Sequence, residues 1–312
     1  MAVRGDGKTI HVVGVPLDHG AGRRGVGMGP SALRIARLHE ALARVGCRIV
    51  DHGDLEVPIP ETLTSDDPTA KYLPLVSTVC RQLAAEVREI LDGGGFPLVI
   101  GGDHSIAIGT ISGITSHLRA RATDQTARLG VLWFDAHGDL NTPQSSPSGN
   151  IHGMSVACLL GKGPRLLTDV EYPGPKIQPH RVVQIGLRDL DESEKDLLHA
   201  SGIHAYTMAD IDKLGMAGVM QEALGYVTEG TDMVHIDFDI DVLDPQVAPG
   251  TGTRKIGGIS YREAHLALEM VAERTKIGSL ELVEVNPILD EQNKTAELAV
   301  GLIASAMGAT IL

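Results

Sequence analysis

Carboxylates and imidazoles recur in three short segments of this 312-residue chain: Gly101-Gly102-Asp103-His104-Ser105, Asp135-Ala136-His137-Gly138-Asp139 and Asp239-Ile240-Asp241. Each follows a short β-branched run, Pro97 to Ile100, Leu129 to Phe134 and Met233 to Phe238, that reads as a buried strand, so all three clusters fall at strand carboxyl ends. Alternate residues of an extended chain share a side. Asp135, His137 and Asp139 therefore converge while the extension lasts, as do Asp239 and Asp241. With His104 they make four carboxylates and two imidazoles, a thiolate-free set that favours manganese or a similar divalent ion over structural zinc. Two ions fit better than one, because four clustered aspartates repel one another until about four positive charges join them. Two ions roughly 3.5–4 Å apart acidify a shared water, and the bridging hydroxide is then the nucleophile. An Asp at a strand end is by itself usually a turn former or a helix cap. Three such clusters together have no comparably cheap structural explanation.

The elements that must hold these groups are legible as alternating periods. Further strands are expected at Thr9 to Val15, Cys47 to Val50, Arg181 to Ile185 and Ser279 to Val285. Ile35, Leu38, Leu42 and Val45 form one helical stripe, with Pro30 near its start and Gly46 past its end, and Val76, Val79, Leu83 and Val87 form another. Helical stretches also lie at about 105–119, 153–160, 192–200, 216–228, 260–275 and 294–309. No linker or low-complexity break interrupts the alternation. The expectation is α/β: a single three-layer α/β/α domain over residues 1–312 with a mainly parallel central sheet. Ligands in such folds sit beyond the strand carboxyl ends, so chemistry is expected in the loops 53–70, 141–152, 162–180 and 239–259.

Composition narrows the partners. Hydrophobic residues at 43% and charged ones at 21% supply a large core and exclude a disordered chain. Net charge is -13, from 27 Lys and Arg against 40 Asp and Glu, which argues against nucleic acid or an anionic membrane and suits a small cationic ligand. Cys47, Cys80 and Cys158 are odd in number and far apart, so neither a disulfide framework nor a thiolate metal site is expected. The first ten residues lack a signal-peptide core and no apolar run reaches about 18 residues, so a cytoplasmic protein is expected.

The strings GGDHS, WFDAHGDLNTPQSSPSGNIHG, IGLRDLD, HIDFDIDVLDP and ELVEVNP, in this order, resemble the ureohydrolases and most closely the arginases. GAGRRGVGMGPSALR near the start and PILDEQNKTAELAVGLIASAMG near the end are similar to the bacterial pattern, so the resemblance covers nearly the whole chain. It implies two Mn2+ per subunit, one held by His104, Asp135, Asp139 and Asp239 and the other by His137, Asp135, Asp239 and Asp241. It further implies His152 as acid/base or proton shuttle and Glu284 as partner of the substrate guanidinium, with Asp139 counted beside them as catalytic. Asn141, Ser146, Ser148 and Asn150 would meet the α-carboxylate of L-arginine or its bound waters. Asp191, helped by Glu194, would take the α-ammonium, and Thr253 would help orient the guanidinium. A cytoplasmic homo-oligomer, trimer or hexamer, belongs to the same expectation. Asp237 stands where arginases often carry a small polar residue, and Val242 where glycine is common; the extra acid either tunes the metal surroundings or faces a polar partner.

Some of these positions have plainer readings. Ser148-Gly149-Asn150 is an ordinary turn, and Asp191 and Glu194 are equally placed to cap a helix beginning near 192. The expected reaction is hydrolysis of L-arginine to L-ornithine and urea; its rivals are agmatine or another guanidino acid as substrate, and a non-catalytic arginine-binding homologue. A dinuclear phosphoesterase fits poorly, because GNIH carries an extra residue and no GHxH follows.

Overall fold

The structure is a computed structural model that describes residues 7–65 and 67–310; the ends of the expected 1–312 domain, residues 1–6 and 311–312, lie outside the described residues. Eight strands form one sheet: β1 (Thr9–Val15), β2 (Arg48–Asp54), β3 (Phe96–Gly101), β4 (Leu129–Phe134), β5 (Val182–Leu187), β6 (His204–Thr207), β7 (Met233–Asp239) and β8 (Ile277–Val283). Their order is β2-β1-β3-β8-β7-β4-β5-β6, and every pairing is parallel. The three-layer α/β/α class expected from the alternation is therefore what the chain adopts.

The strands β3, β4 and β5 are buried at every residue, which is why they read as unbroken apolar runs rather than alternations. One face of the sheet, through Ile10, Leu98, Phe134 and Phe238, packs with Leu33, Leu42, Val219, Leu268 and Ile303. The other, through Val13, Val99 and Trp133, packs with Leu83 and Val87 of helix Leu73–Asp92 and with Ile111 and Ile114 of helix Ala107–Arg121. Because β3, β8, β7 and β4 are neighbours, the segments that leave their carboxyl ends open side by side.

Three local expectations need correction. The strand β6 went unread because His-Ala-Tyr-Thr is four residues long and only Tyr206 is buried, so no apolar run marks it. The stripe from Ile35 to Val45 belongs to two helices, Gly29–Ile35 and Leu38–Arg44, parted where Arg37 turns left-handed (φ 66). That break takes Ile35 out of phase, and it is 75% exposed. The helix expected from 216 starts at Met208, where the Asp210 carboxylate accepts the N–H of Thr207, and it kinks at Gly215 (φ 69), a conformation glycine adopts at no steric cost. Cys47, Cys80 and Cys158 are buried and unpaired, and among the described residues no helix is long and apolar enough to cross a membrane.

Candidate metal centre

Backbone turns, more than continued extension, gather the three clusters. The strand β4 ends at Phe134, and Asp135 then folds the chain over itself: its Oδ1 accepts the N–H of His137 (2.7 Å) and its Oδ2 the indole N–H of Trp133 (3.1 Å). Asp139 lies in the left-handed region (φ 52), a strained backbone for a residue other than glycine and of the kind that collects at functional sites. After β7, Asp239 caps the single turn Ile240–Val242 by accepting the N–H of Asp241 (2.7 Å). His104 opens the turn His104–Ile106, which Asp103 caps through Ser105. Asp103 also accepts the N–H of Gly20 (2.8 Å), tying the 104 turn to the loop after β1.

Five of the six side chains meet as two groups that share Asp135, and Asp239 stands beside the first. His104 Nδ1 stands 3.2 Å from Asp135 Oδ2, 3.1 Å from Asp139 Oδ2 and 3.2 Å from Asp239 Oδ2. His137 Nδ1 stands 3.0 Å from Asp241 Oδ2 and 3.4 Å from Asp135 Oδ1. His104, Asp135 and Asp139 form one cluster able to hold an ion, and Asp135, His137 and Asp241 form another. His104 Nδ1 and Asp139 Oδ2 are buried and make no hydrogen bond despite this proximity. Donors crowded at about 3 Å without hydrogen-bond alignment have the spacing of adjacent ligands around an octahedral cation with bonds of about 2.1 Å. The donor set thus fits a divalent ion in each group. Electrostatics agree: burial, then the charge of Asp135, pushes the Asp139 carboxyl well up, and burial with Asp241 and Asp135 does the same to Asp239.

A second ring of groups aims these side chains. Asp237 accepts from His104 Nε2 (2.7 Å), which leaves Nδ1 to face the carboxylates, and the Trp133 ring stacks on the His104 ring at 4.4 Å. Asp189 Oδ2 lies 3.5 Å from His137 Nε2 and pairs with Lys255 at 2.6 Å. Thr253 donates its hydroxyl to Asp241 Oδ2 (2.7 Å), so that hydroxyl hydrogen serves a carboxylate of the cluster rather than a guanidinium.

A cavity of about 130 Å³ opens over the clusters, walled by His104, His137, Asp139, Asp239, Asn141, His152, Asp189, Asp191, Glu194 and Thr253. His152 Nδ1 contacts Glu284 Oε1 (3.0 Å), which also accepts the N–H of His104 (3.0 Å). Glu284 itself is buried behind His152 in a left-handed conformation (φ 64). Burial opposes a charge on His152, but the hydrogen bond and charge of Glu284, with Asp103 and Asp139, raise its pKa to about 9. Asn141 Nδ2 donates to Asp191 Oδ2 (2.9 Å), placing an amide and a carboxylate on the same wall. Both Glu194 oxygens are occupied by backbone, from Leu140 (3.0 Å) and Asp191 (2.9 Å), so this residue braces the helix Glu192–Ser201 rather than offering a free charge.

The structure does not bring Ser146, Ser148 and Asn150 to that wall. Ser146 and Ser148 accept the N–H groups of Gly149 (2.9 Å) and Asn150 (3.2 Å), and Asn150 Oδ1 accepts from Lys71 (3.2 Å), the bonding of a structured turn. Asp189, Asp103 and Trp133 were missed as individual residues. For Asp189 a signal existed, since it lies in the IGLRDLD string; the contact of Asp103 with Gly20 and the stacking of Trp133 on His104 join residues far apart in sequence.

The chain matches the Arginase family model over residues 8–308. It is 50% identical to the arginase of Bacillus caldovelox over 306 residues, covering 98% of this chain and 100% of that one, and 49% identical to the arginase of Bacillus subtilis (strain 168) over 305 residues, covering 98% and 99%. The native structure of the Bacillus caldovelox arginase superposes with a TM-score of 0.93 at 50% identity, covering 98% of this chain and 100% of that one. An Entamoeba histolytica arginase in complex with L-ornithine superposes at 0.88 with 32% identity, covering 97% and 99%. With fold, clustered donors and near full-length identity in agreement, the chain belongs to the arginase family.

Proposed function

We propose that this chain is an arginase that hydrolyses L-arginine to L-ornithine and urea with two Mn2+ per subunit, residues 1–312 acting as one ureohydrolase domain. The observation that carries the reading is the pair of donor clusters sharing Asp135 beneath a cavity that also holds His152, Asn141 and Asp191. His104, Asp135, Asp139 and Asp239 would hold one ion, and His137, Asp135, Asp239 and Asp241 the other. When bound, such a pair supplies a water acidic enough to attack at neutral pH and positive charge to steady the developing tetrahedral centre.

The remaining work falls to this chain's own groups. A guanidinium is planar and permanently cationic, so the Glu284 carboxylate orients it through charge-assisted hydrogen bonds, and His152 gives a proton to the departing amine. Asn141 and Asp191 face the amino-acid end, with Ser146, Ser148 and Asn150 reaching the α-carboxylate through water. Thr253 and Glu194 act through Asp241 and Asp191. The L-ornithine held by the Entamoeba arginase supports this substrate class. Three buried unpaired cysteines support a cytoplasmic setting, and the family a trimer or hexamer.

The test is urea and ornithine release from L-arginine and from agmatine, on chelated protein and after manganese reload. Activity on arginine alone, lost on chelation and regained on reload, supports the proposal. Agmatine turned over as fast as arginine would replace the substrate, and arginine bound without urea would leave a binding protein. Sedimentation of the loaded protein reads the oligomer.

A further inference from the structure

Behind the two clusters the imidazoles are supported unequally. His137 is backed by Asp189, which is 40% exposed in its side chain, lies 3.5 Å away and divides its charge with Lys255. His104 is backed by Asp237, wholly buried and 2.7 Å from Nε2. The other groups facing Asp237 are His235 Nε2, at 3.7 Å from Oδ2, and Glu281, its register partner across β7 and β8. Glu281 is itself held by the Thr110 hydroxyl, and His235 Nδ1 by Ser279 (2.9 Å). Asp237 Oδ2 and Glu281 Oε1 are buried without a hydrogen bond. A buried carboxylate left half-satisfied beside a second buried acid costs stability unless positive charge lies close by. The place where that charge would act is the far side of His104, whose Nδ1 faces three carboxylates.

We propose that Asp237 is a positioning residue that fixes the proton of His104 on Nε2, holds its ring, and strengthens Nδ1 as a donor, so that the ion beside His104 is bound more tightly than a neutral acceptor at position 237 would allow. This rests on the dinuclear reading above, though not on the identity of the substrate. A carboxylate–imidazole–metal line polarises the ring toward the cation, and removing such a support weakens metal affinity about 10- to 100-fold.

The experiment is chelator-competition titration of Mn2+ on the full chain and on Asp237→Asn and Asp237→Ser, with melting temperatures for metal-free and loaded protein. For Asp237→Asn one of the two ions should bind about 10- to 100-fold more weakly, the other unchanged. Asp237→Ser, which keeps an acceptor without the charge, should lose nearly as much. Metal-free Asp237→Asn should melt somewhat below the metal-free parent, because its buried pairing with His104 is broken, and its manganese-induced rise should be smaller than the parent's. Unchanged affinity for both ions in Asp237→Asn overturns the proposal, as does parental affinity in Asp237→Ser. Equal losses in the metal-free and loaded melting temperatures also overturn it, since that marks ordinary packing. Loaded parent protein that binds two ions but releases no urea would defeat the arginase reading and leave these measurements intact.

Discussion

His152 keeps its proton because Glu284 lies 3.0 Å from Nδ1 inside a buried site, where an ion pair is weakly screened. In metal-free protein, NMR titration should find His152 protonated up to about pH 9. Its folded pKa is raised, so its contribution to stability is complete below the unfolded value near 6.5 and is lost as pH climbs through about 9. Glu284→Gln should bring the titration down toward 6.5, since only the charges of Asp103 and Asp139 then oppose burial, and should cut kcat about 100-fold or more in loaded enzyme. A His152 still titrating near 9 in that variant would show that the support comes from elsewhere. Asn141 is the sharper specificity probe, because its amide lies on the cavity wall beside Asp191. Asn141→Ala should raise KM for arginine about 10-fold, roughly 1.4 kcal/mol, and leave agmatine kinetics little changed.

Two elements carry predictions that do not involve chemistry at the ions. Gly102 passes β3 into the 104 turn so close to β1 that a Cβ would lie 2.1 Å from Leu17 O and 2.6 Å from Val15 O. Both obstacles are backbone and cannot rotate away, so Gly102→Ala should destabilise by about 3 kcal/mol or more and be visible as a shifted denaturant midpoint. At the other edge, Arg34 of helix Gly29–Ile35 grips Asp51 of β2 through two 2.9 Å hydrogen bonds. Burial works against the Asp51 charge, but Arg34, the Gly53 N–H and His39 outweigh it and lower the carboxyl to about 2. A depressed folded pKa gives stability that is present above the unfolded value near 3.8 and disappears as pH falls to about 2. Asp51→Asn should therefore cost about 1 kcal/mol at pH 7, after allowance for solvent screening, and nothing once pH falls well below about 2. A cost independent of pH would assign the effect to packing.

For the molecule as a whole, divalent ions held at these clusters would contribute to the fold as well as the chemistry. Four buried aspartates at the carboxyl ends of β4 and β7 repel one another, and a ligand that binds only the folded state adds about 4 kcal/mol at a thousandfold excess over its Kd. Chelation should lower the melting temperature by several degrees per ion, with manganese restoring it. An unchanged melting curve after verified metal removal would mean that the clusters are stable as a protonated network. The surplus negative charge, -13, should also speed capture of a cationic guanidino compound at low ionic strength.

Much of this was readable in one dimension, for a physical reason. Parallel strands buried on both faces are mostly apolar runs, so an acid or histidine just past such a run announces a strand carboxyl end, and His104, Asp135, His137 and Asp139 stand out accordingly, while Asp239 and Asp241 come at the end of a strand that itself holds His235 and Asp237. The short edge strand β6 and the break at Arg37 left no such mark, because a four-residue half-polar strand and a single left-handed residue barely alter the hydrophobic period. Only the tertiary structure decided that Ser146 and Ser148 hold N–H groups of their own turn while Asn150 reaches Lys71, that Glu194 spends its carboxylate on backbone, and that Asp189 and Asp237 back the two imidazoles. The local bonds, at the 146–150 turn and between Asp191 and Glu194, were among readings the sequence left open, and the contacts to Lys71, Leu140, His137 and His104 join distant segments; hydrophobic periodicity encodes which face is buried, and says nothing of which polar atom a buried donor finds.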